Sequence, residues 1–211
     1  MILTAFKFWR AVLVVMSLSI TTLAQAHPHN WIDVFAEWRF DPNGLITDVK
    51  LRWLFDDYYS VLLVDDAAAT GDKLQVILNK VLGNTKKHDY FIQIDQQGTK
   101  AKFGDAKQAK IGVHDHRIQI EFLLSMKTPL NPKQGDIVYH VVEPTYYFEM
   151  LHAEDDLAIV LKDAPQNCRY SLKPPTPAAA MIAYASSLGI DETGGDDLGI
   201  EFAEAVTIRC E

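Results

Sequence analysis

The sequence predicts a mainly β chain of the α+β class: a β-sandwich-like core with a helical insertion near residues 57–83 and a late helix near 178–188. Two observations carry this prediction. Most of the chain alternates apolar and polar residues with period two, the mark of half-buried strands. Only two stretches switch to helical spacing. Strand order cannot be read from such a pattern.

The chain opens with Lys7 and Arg10, then the apolar run Ala11–Leu23, then Ala24-Gln25-Ala26. A basic start, a short apolar centre and a small-x-small end read as a secretory signal peptide over residues 1–26. The run has 13 residues, whereas a spanning helix needs roughly 20. Removing it takes away two positive charges and no acid. The net charge then falls from −8 to −10, and 185 of the 211 residues remain as a single predicted domain, 27–211. The expected location is the periplasm, with no direct membrane insertion after cleavage.

Ile32, Val34, Ala36, Trp38 and Phe40 share one face of a first strand, and Asp41-Pro42-Asn43-Gly44 is a turn. Leu45, Thr47, Val49, Leu51, Trp53 and Phe55 share a face of a second strand, so residues 30–55 form a hairpin. Helical spacing follows over Asp57–Val64 and Gly71–Leu82, the latter closed by Gly83. Strands resume at Tyr90–Ile94, Lys100–Phe103, Ala109–Val113, His116–Leu124, Ile137–Val142, Tyr146–Met150, Leu157–Leu161 and Cys168–Leu172. Pro174–Pro177 breaks the pattern before an Ala-rich helix, Ala178–Leu188, with Gly189 as its stop. A polar loop, 190–199, leads to a last strand, Ala205–Cys210.

Hydrophobic residues make up 48% and charged residues 23%, which fits a globular chain and neither disorder nor a multi-pass membrane protein. The acidic balance argues against nucleic acid, whose phosphates are held by Lys/Arg patches. Export implies an oxidising compartment, where the two cysteines are expected to pair as Cys168–Cys210. No Gly-x-Ser-x-Gly, His-Glu-x-x-His or phosphate-loop motif occurs, so no catalytic residue or bound organic cofactor is predicted.

The histidines carry the functional argument. Cleavage after Ala26 makes His27 the first residue, offering its α-amine and its imidazole together, with His29 two residues on. Pro28 lacks an N–H, so a square-planar copper/nickel site using backbone amides cannot form. An amine and two imidazoles remain, to be completed from elsewhere in the fold. That set suits zinc, nickel or cobalt, as well as a T-shaped copper brace. His114 and His116, read as i and i+2 on one strand, would share a face and join Asp33 as candidates to complete the shell. Affinity should fall as pH drops through the imidazole range, because ligand nitrogens must be deprotonated.

The segments His27-Pro28-His29-x-Trp31-Ile32-Asp33 and Trp53-x-Phe55-Asp56-Asp57-x-Tyr59-Ser60 are familiar in combination. With Pro144-Thr145-Tyr146-Tyr147 and Leu198-Gly199-x-x-Phe202-Ala203-x-x-Val206-x-x-x-Cys210, they span nearly all of 27–211. The chain resembles a secreted bacterial family of unknown function, described as the periplasmic component of an uncharacterised transport system. Such proteins are typically encoded beside, or fused to, NicO-type nickel/cobalt permeases, some tied to zinc. The pattern has Asp before Pro-Thr-Tyr-Tyr, where this chain has Glu143, and it lacks His114 and His116. The resemblance implies a periplasmic divalent-metal binding protein, for zinc first and nickel or cobalt next, that serves an inner-membrane NicO-type permease. Two alternatives stand beside it. One is a copper histidine-brace protein, oxidative or trafficking. The other is a metal-free permease scaffold docking through Asp56, Asp57, Tyr59 and Ser60.

Overall fold

The computed structural model describes residues 27–70, 73–189 and 192–211. The predicted signal peptide, the Gly71-Asp72 helix start and the first two residues of the 190–199 loop lie outside these residues.

The hairpin forms as the alternation requires. Strand β1 (Asn30–Phe40) and strand β2 (Ile46–Phe55) pair antiparallel, with Ile32 opposite Phe55 and Trp38 opposite Val49. At the turn, Asp41 Oδ1 accepts from Asn43 N and Leu45 N, and Gly44 adopts φ +77, a conformation that favours glycine. One detail differs from the simple period. A bulge in β2 opposite Arg39 and Phe40 adds one residue between Ile46 and Asp48, so Ile46 is buried in place of Leu45 and Thr47.

Helix α1 (Asp57–Thr70) continues through Asp65-Asp66, and helix α2 (Leu74–Thr85) passes through Gly83 without stopping there. A kinked segment, Lys86–Phe91, with positive φ at Asp89, Tyr90 and Phe91, leads to β3 (Ile92–Gln96). The predicted strand at Lys100–Phe103 shrinks to β4 (Thr99–Lys100) plus one bridge from Phe103 to Met126. Next come β5 (Lys107–His114) and β6 (Arg117–Leu130), then β7 (Ile137–Val141) and β8 (Phe148–His152). They are followed by β9 (Ile159–Lys162), β10 (Cys168–Lys173), helix α3 (Ala179–Ser187) and β11 (Ala205–Cys210).

Two open sheets result. One runs β5-β6-β2-β1-β8, with β9 pairing β1 beyond β8; the other runs β10-β11-β7-β3-β4. Both β8 and β9 lie parallel to β1, in succession along its edge. The inward faces of the two sheets share a single core, in which Trp38, Trp53, Phe122 and Tyr139 are almost fully buried. The predicted mainly β, α+β architecture is what the chain forms.

Cys168 and Cys210 stand directly opposite each other on β10 and β11, and they are joined by a disulfide. By closing a 42-residue separation, such a link contributes roughly 2–4 kcal/mol by constraining the unfolded chain. No helix among the described residues is long and apolar enough to cross a membrane.

Candidate functional site

The N-terminal segment runs along the end of β8, where His29 N donates to Tyr147 O at 3.1 Å. His27 is buried and His29 half-buried, and their ring centroids lie 4.4 Å apart across a cis His27–Pro28 bond. The Tyr147 ring lies 4.9 Å from His29 and 6.3 Å from His27. His29 Nε2 is buried with no hydrogen-bond partner among the described residues.

Tyr147 is held there by Glu143. This buried carboxylate accepts from Thr145 N at 3.1 Å, Thr145 Oγ1 at 3.0 Å, Tyr147 N at 2.7 Å and Phe148 N at 3.4 Å. The turn is clamped from outside as well. Gly199 N donates to Pro144 O at 2.8 Å, and a Cβ at Gly199 would come within 2.0 Å of Glu143 O. Only glycine permits that approach. Tyr146 stacks on Phe202 at 4.0 Å. The Pro-Thr-Tyr-Tyr and Leu-Gly-x-x-Phe segments, far apart in sequence, therefore form one support beneath the histidines. Glu143 works here as a hydrogen-bond hub.

Asp56 builds the neighbouring wall. Its Oδ2 accepts from Trp31 N at 3.0 Å, and its Oδ1 caps α1 by accepting from Tyr59 N at 2.8 Å. Tyr59 turns inward, stacked on Phe55 and edge-on to Phe148. Burial pushes its hydroxyl pKa up, reinforced by Tyr147 and Asp56. Ser60 is fully buried: its Oγ donates to Asp56 O at 2.7 Å and accepts from Ile118 N at 2.8 Å, pinning α1 to β6. Of the expected docking residues Asp56, Asp57, Tyr59 and Ser60, only Asp57 is exposed. The other three are drawn inward because they start the helix and anchor it.

The other candidate ligands are not gathered to His27 and His29. His114 ends β5 and pairs with Arg117, while Asp115 and His116 form a two-residue turn with φ +47 and +67. The two imidazoles thus belong to a hairpin tip and not to one strand face, because both turn residues need positive φ. Asp33 is ion-paired with Arg117 at 2.8 Å on the outer face of its sheet. Among the described residues no three His, Cys, Asp or Glu side chains come together as a metal site. The pair His27/His29 is therefore a nitrogen-only cluster, extended by the α-amine if the chain is cut after Ala26.

A separate polar chain lies deeper. His152 Nδ1 donates to Glu204 Oε2 at 2.8 Å, and Tyr139 OH donates to His152 Nε2 at 3.0 Å when the imidazole is neutral. His140 Nδ1 donates to Glu204 O at 2.9 Å, and burial pushes its pKa down. Burial raises that of the Tyr139 phenol. This chain ties β7, β8 and the entry to β11 together. Sequence spacing carries no signal for it, since Glu204 stands 52 residues from His152.

A family model described as "Protein of unknown function (DUF1007)" matches residues 12–210. The chain belongs to the DUF1007 family. A protein from Haemophilus influenzae, named only as uncharacterized, is 30% identical over 201 residues, covering 93% of this chain and 97% of its own. No solved structure matches. In this DUF1007 chain, segments His27–Asp33, Trp53–Ser60, Pro144–Tyr147 and Leu198–Phe202 converge on one rim of the fold.

Proposed function

We propose that this DUF1007 protein is a periplasmic binding protein for a divalent transition metal, zinc first and nickel or cobalt next, serving an inner-membrane NicO-type permease. The metal is cargo. The observation that supports this reading most is the buried, unpartnered His29 Nε2 beside the His27 ring. A buried polar nitrogen without a partner is costly, and a neighbouring imidazole makes a cation a fitting partner. His27, through imidazole and α-amine, and His29 supply nitrogen donors, with water or the permease completing the shell. The permease assignment rests on the family resemblance.

The test is calorimetry with Zn²⁺, Ni²⁺ and Co²⁺ on protein expressed from the full-length sequence, its N-terminus fixed by intact mass. His27→Ala and His29→Ala should each weaken binding sharply. Unchanged affinity in both variants would sink the site.

One observation favours a second reading. Among the described residues no carboxylate or thiol joins the two histidines as a metal cluster, so the donors they offer are nitrogens, and such sites bind Cu²⁺ more tightly than neighbouring divalent ions. A copper histidine brace would show a type-2 Cu²⁺ spectrum and peroxide-driven oxidation. Tight Zn²⁺ binding without redox activity would count against it.

A further inference from the structure

Helix α1 is apolar on both sides. Tyr59, Leu63 and Ala67 face the body of the protein. On the other side Tyr58 is 70% exposed, Val61 55%, Leu62 46% and Val64 43%. Helices that are apolar all round are normally covered, and scattered single exposures do not look like this run at positions 58, 61, 62 and 64. The helix carries Asp57, Asp65 and Asp66 and no Lys or Arg. Asp65 is exposed beside these apolar residues.

We propose that the outer face of α1 is a docking surface for a protein partner that presents apolar side chains flanked by Lys or Arg. The charge pattern selects this occupant. A second copy of this chain would bring one acidic helix against another, and the same aspartates are repelled by anionic lipid. The face adjoins the histidine rim, because Asp56 both caps α1 and accepts from Trp31 N, two residues beyond His29. A docked partner therefore sits beside His27 and His29. The proposal stands on exposure and charge alone, whether or not the histidines bind metal.

Three probes test it on the full-length-expressed protein: a helical peptide of Leu and Lys only, its Leu/Glu counterpart, and phosphatidylcholine vesicles. The Leu/Lys peptide should bind the wild type and the Leu/Glu peptide should not. Val61→Glu/Leu62→Glu should weaken Leu/Lys binding by about tenfold or more. This variant adds negative charge, so a loss reports apolar contact and not net attraction. Val61→Ser/Leu62→Ser gives the same readout without new charge. Asp65→Lys should weaken binding too, while Ile182→Glu/Tyr184→Glu, on the exposed side of α3, should leave it unchanged. The proposal is overturned if the Leu/Lys peptide does not bind, if both peptides bind alike, or if the Val61/Leu62 variants bind as the wild type does. It is equally overturned if sedimentation shows a dimer that those variants split, or if the vesicles bind through the same residues.

Discussion

Two His-x-His segments occur in this chain, and the fold treats them in opposite ways. His27 and His29 pack ring to ring at 4.4 Å, under Tyr147 and against the end of β8. His114 and His116 lie on a hairpin tip, where the His114 side chain is 59% exposed and its polar contact is Asp115. Both pairs stand at the same end of the larger sheet, but β1 and β5 are separated by β2 and β6. Three strand spacings amount to roughly 14 Å, too far for one ion to bridge. Identical spacing thus yields one sheltered pair and one solvated pair. What differs is the support: Glu143, Tyr147 and the Gly199 clamp underlie the first, and among the described residues nothing comparable underlies the second.

The sharpest way to break this comparison is to remove each pair in turn. His27→Ala or His29→Ala should cost at least about 100-fold in Zn²⁺ affinity, more than the loss of a supporting hydrogen bond costs at a metal site. His114→Ala/His116→Ala should leave affinity within about twofold, as expected for solvated side chains at a hairpin tip. Calorimetry on the four proteins decides it. A large loss in the second variant would mean that the pairs act together despite their separation.

The same contrast shows what was legible in the sequence. The β-rich class, the first hairpin, the two helical regions and the Cys168–Cys210 pairing follow from local signals that the fold obeys. Period two, the Asp41–Gly44 turn and an even cysteine count needed no tertiary information. The hairpin tip at Asp115-His116 was not legible, because neither residue announces the positive φ that both adopt. The bulge at Ile46–Asp48 shifted the buried register for a similar reason: an inserted residue is invisible to a strict alternation. At the site, His27 and His29 stood out by chemistry, whereas the roles of Glu143, Ser60 and Glu204 depend on partners brought together only by the fold. Ser60 is the clearest case. Its motif suggested a surface, and its hydroxyl turned out to be an internal pin.

That pin supplies the next prediction. Ser60→Ala removes the acceptor for Ile118 N on the strand that follows the exposed pair, and it releases the start of α1 beside the sheltered pair. The buried amide loses its partner, so stability should fall by about 1–3 kcal/mol in denaturant unfolding. A change within ~0.3 kcal/mol would show that water replaces the hydroxyl. Glu143→Gln should act more selectively. A neutral amide cannot accept in all the places the carboxylate does, so Tyr147 loosens against His29. Zn²⁺ affinity should drop by about tenfold with little change in the far-ultraviolet spectrum. Equal affinity in the variant would mean that the support under the sheltered pair is not needed.

His140 provides the smallest test and a third kind of histidine, half-buried with a backbone partner. Its pKa in the fold is pushed below the usual value by burial, against the opposing pull of Glu204 O. Between the folded pKa and the ordinary value of about 6.5, the unfolded chain therefore binds more protons. Stability rises with pH across that window and is lost as pH falls through it. Acidifying from about pH 7.5 to about pH 5 should destabilise the wild type more than His140→Gln, measured by thermal melts in matched buffers. On the proposed metal-binding reading, the sheltered pair should add a metal-dependent signal that His140 cannot: with Zn²⁺ in excess, acid should cost further stability as the metal is released. If the wild type and His140→Gln lose stability in parallel without metal, burial at His140 does not set the acid limb. The sheltered and exposed histidines must then be compared for it directly.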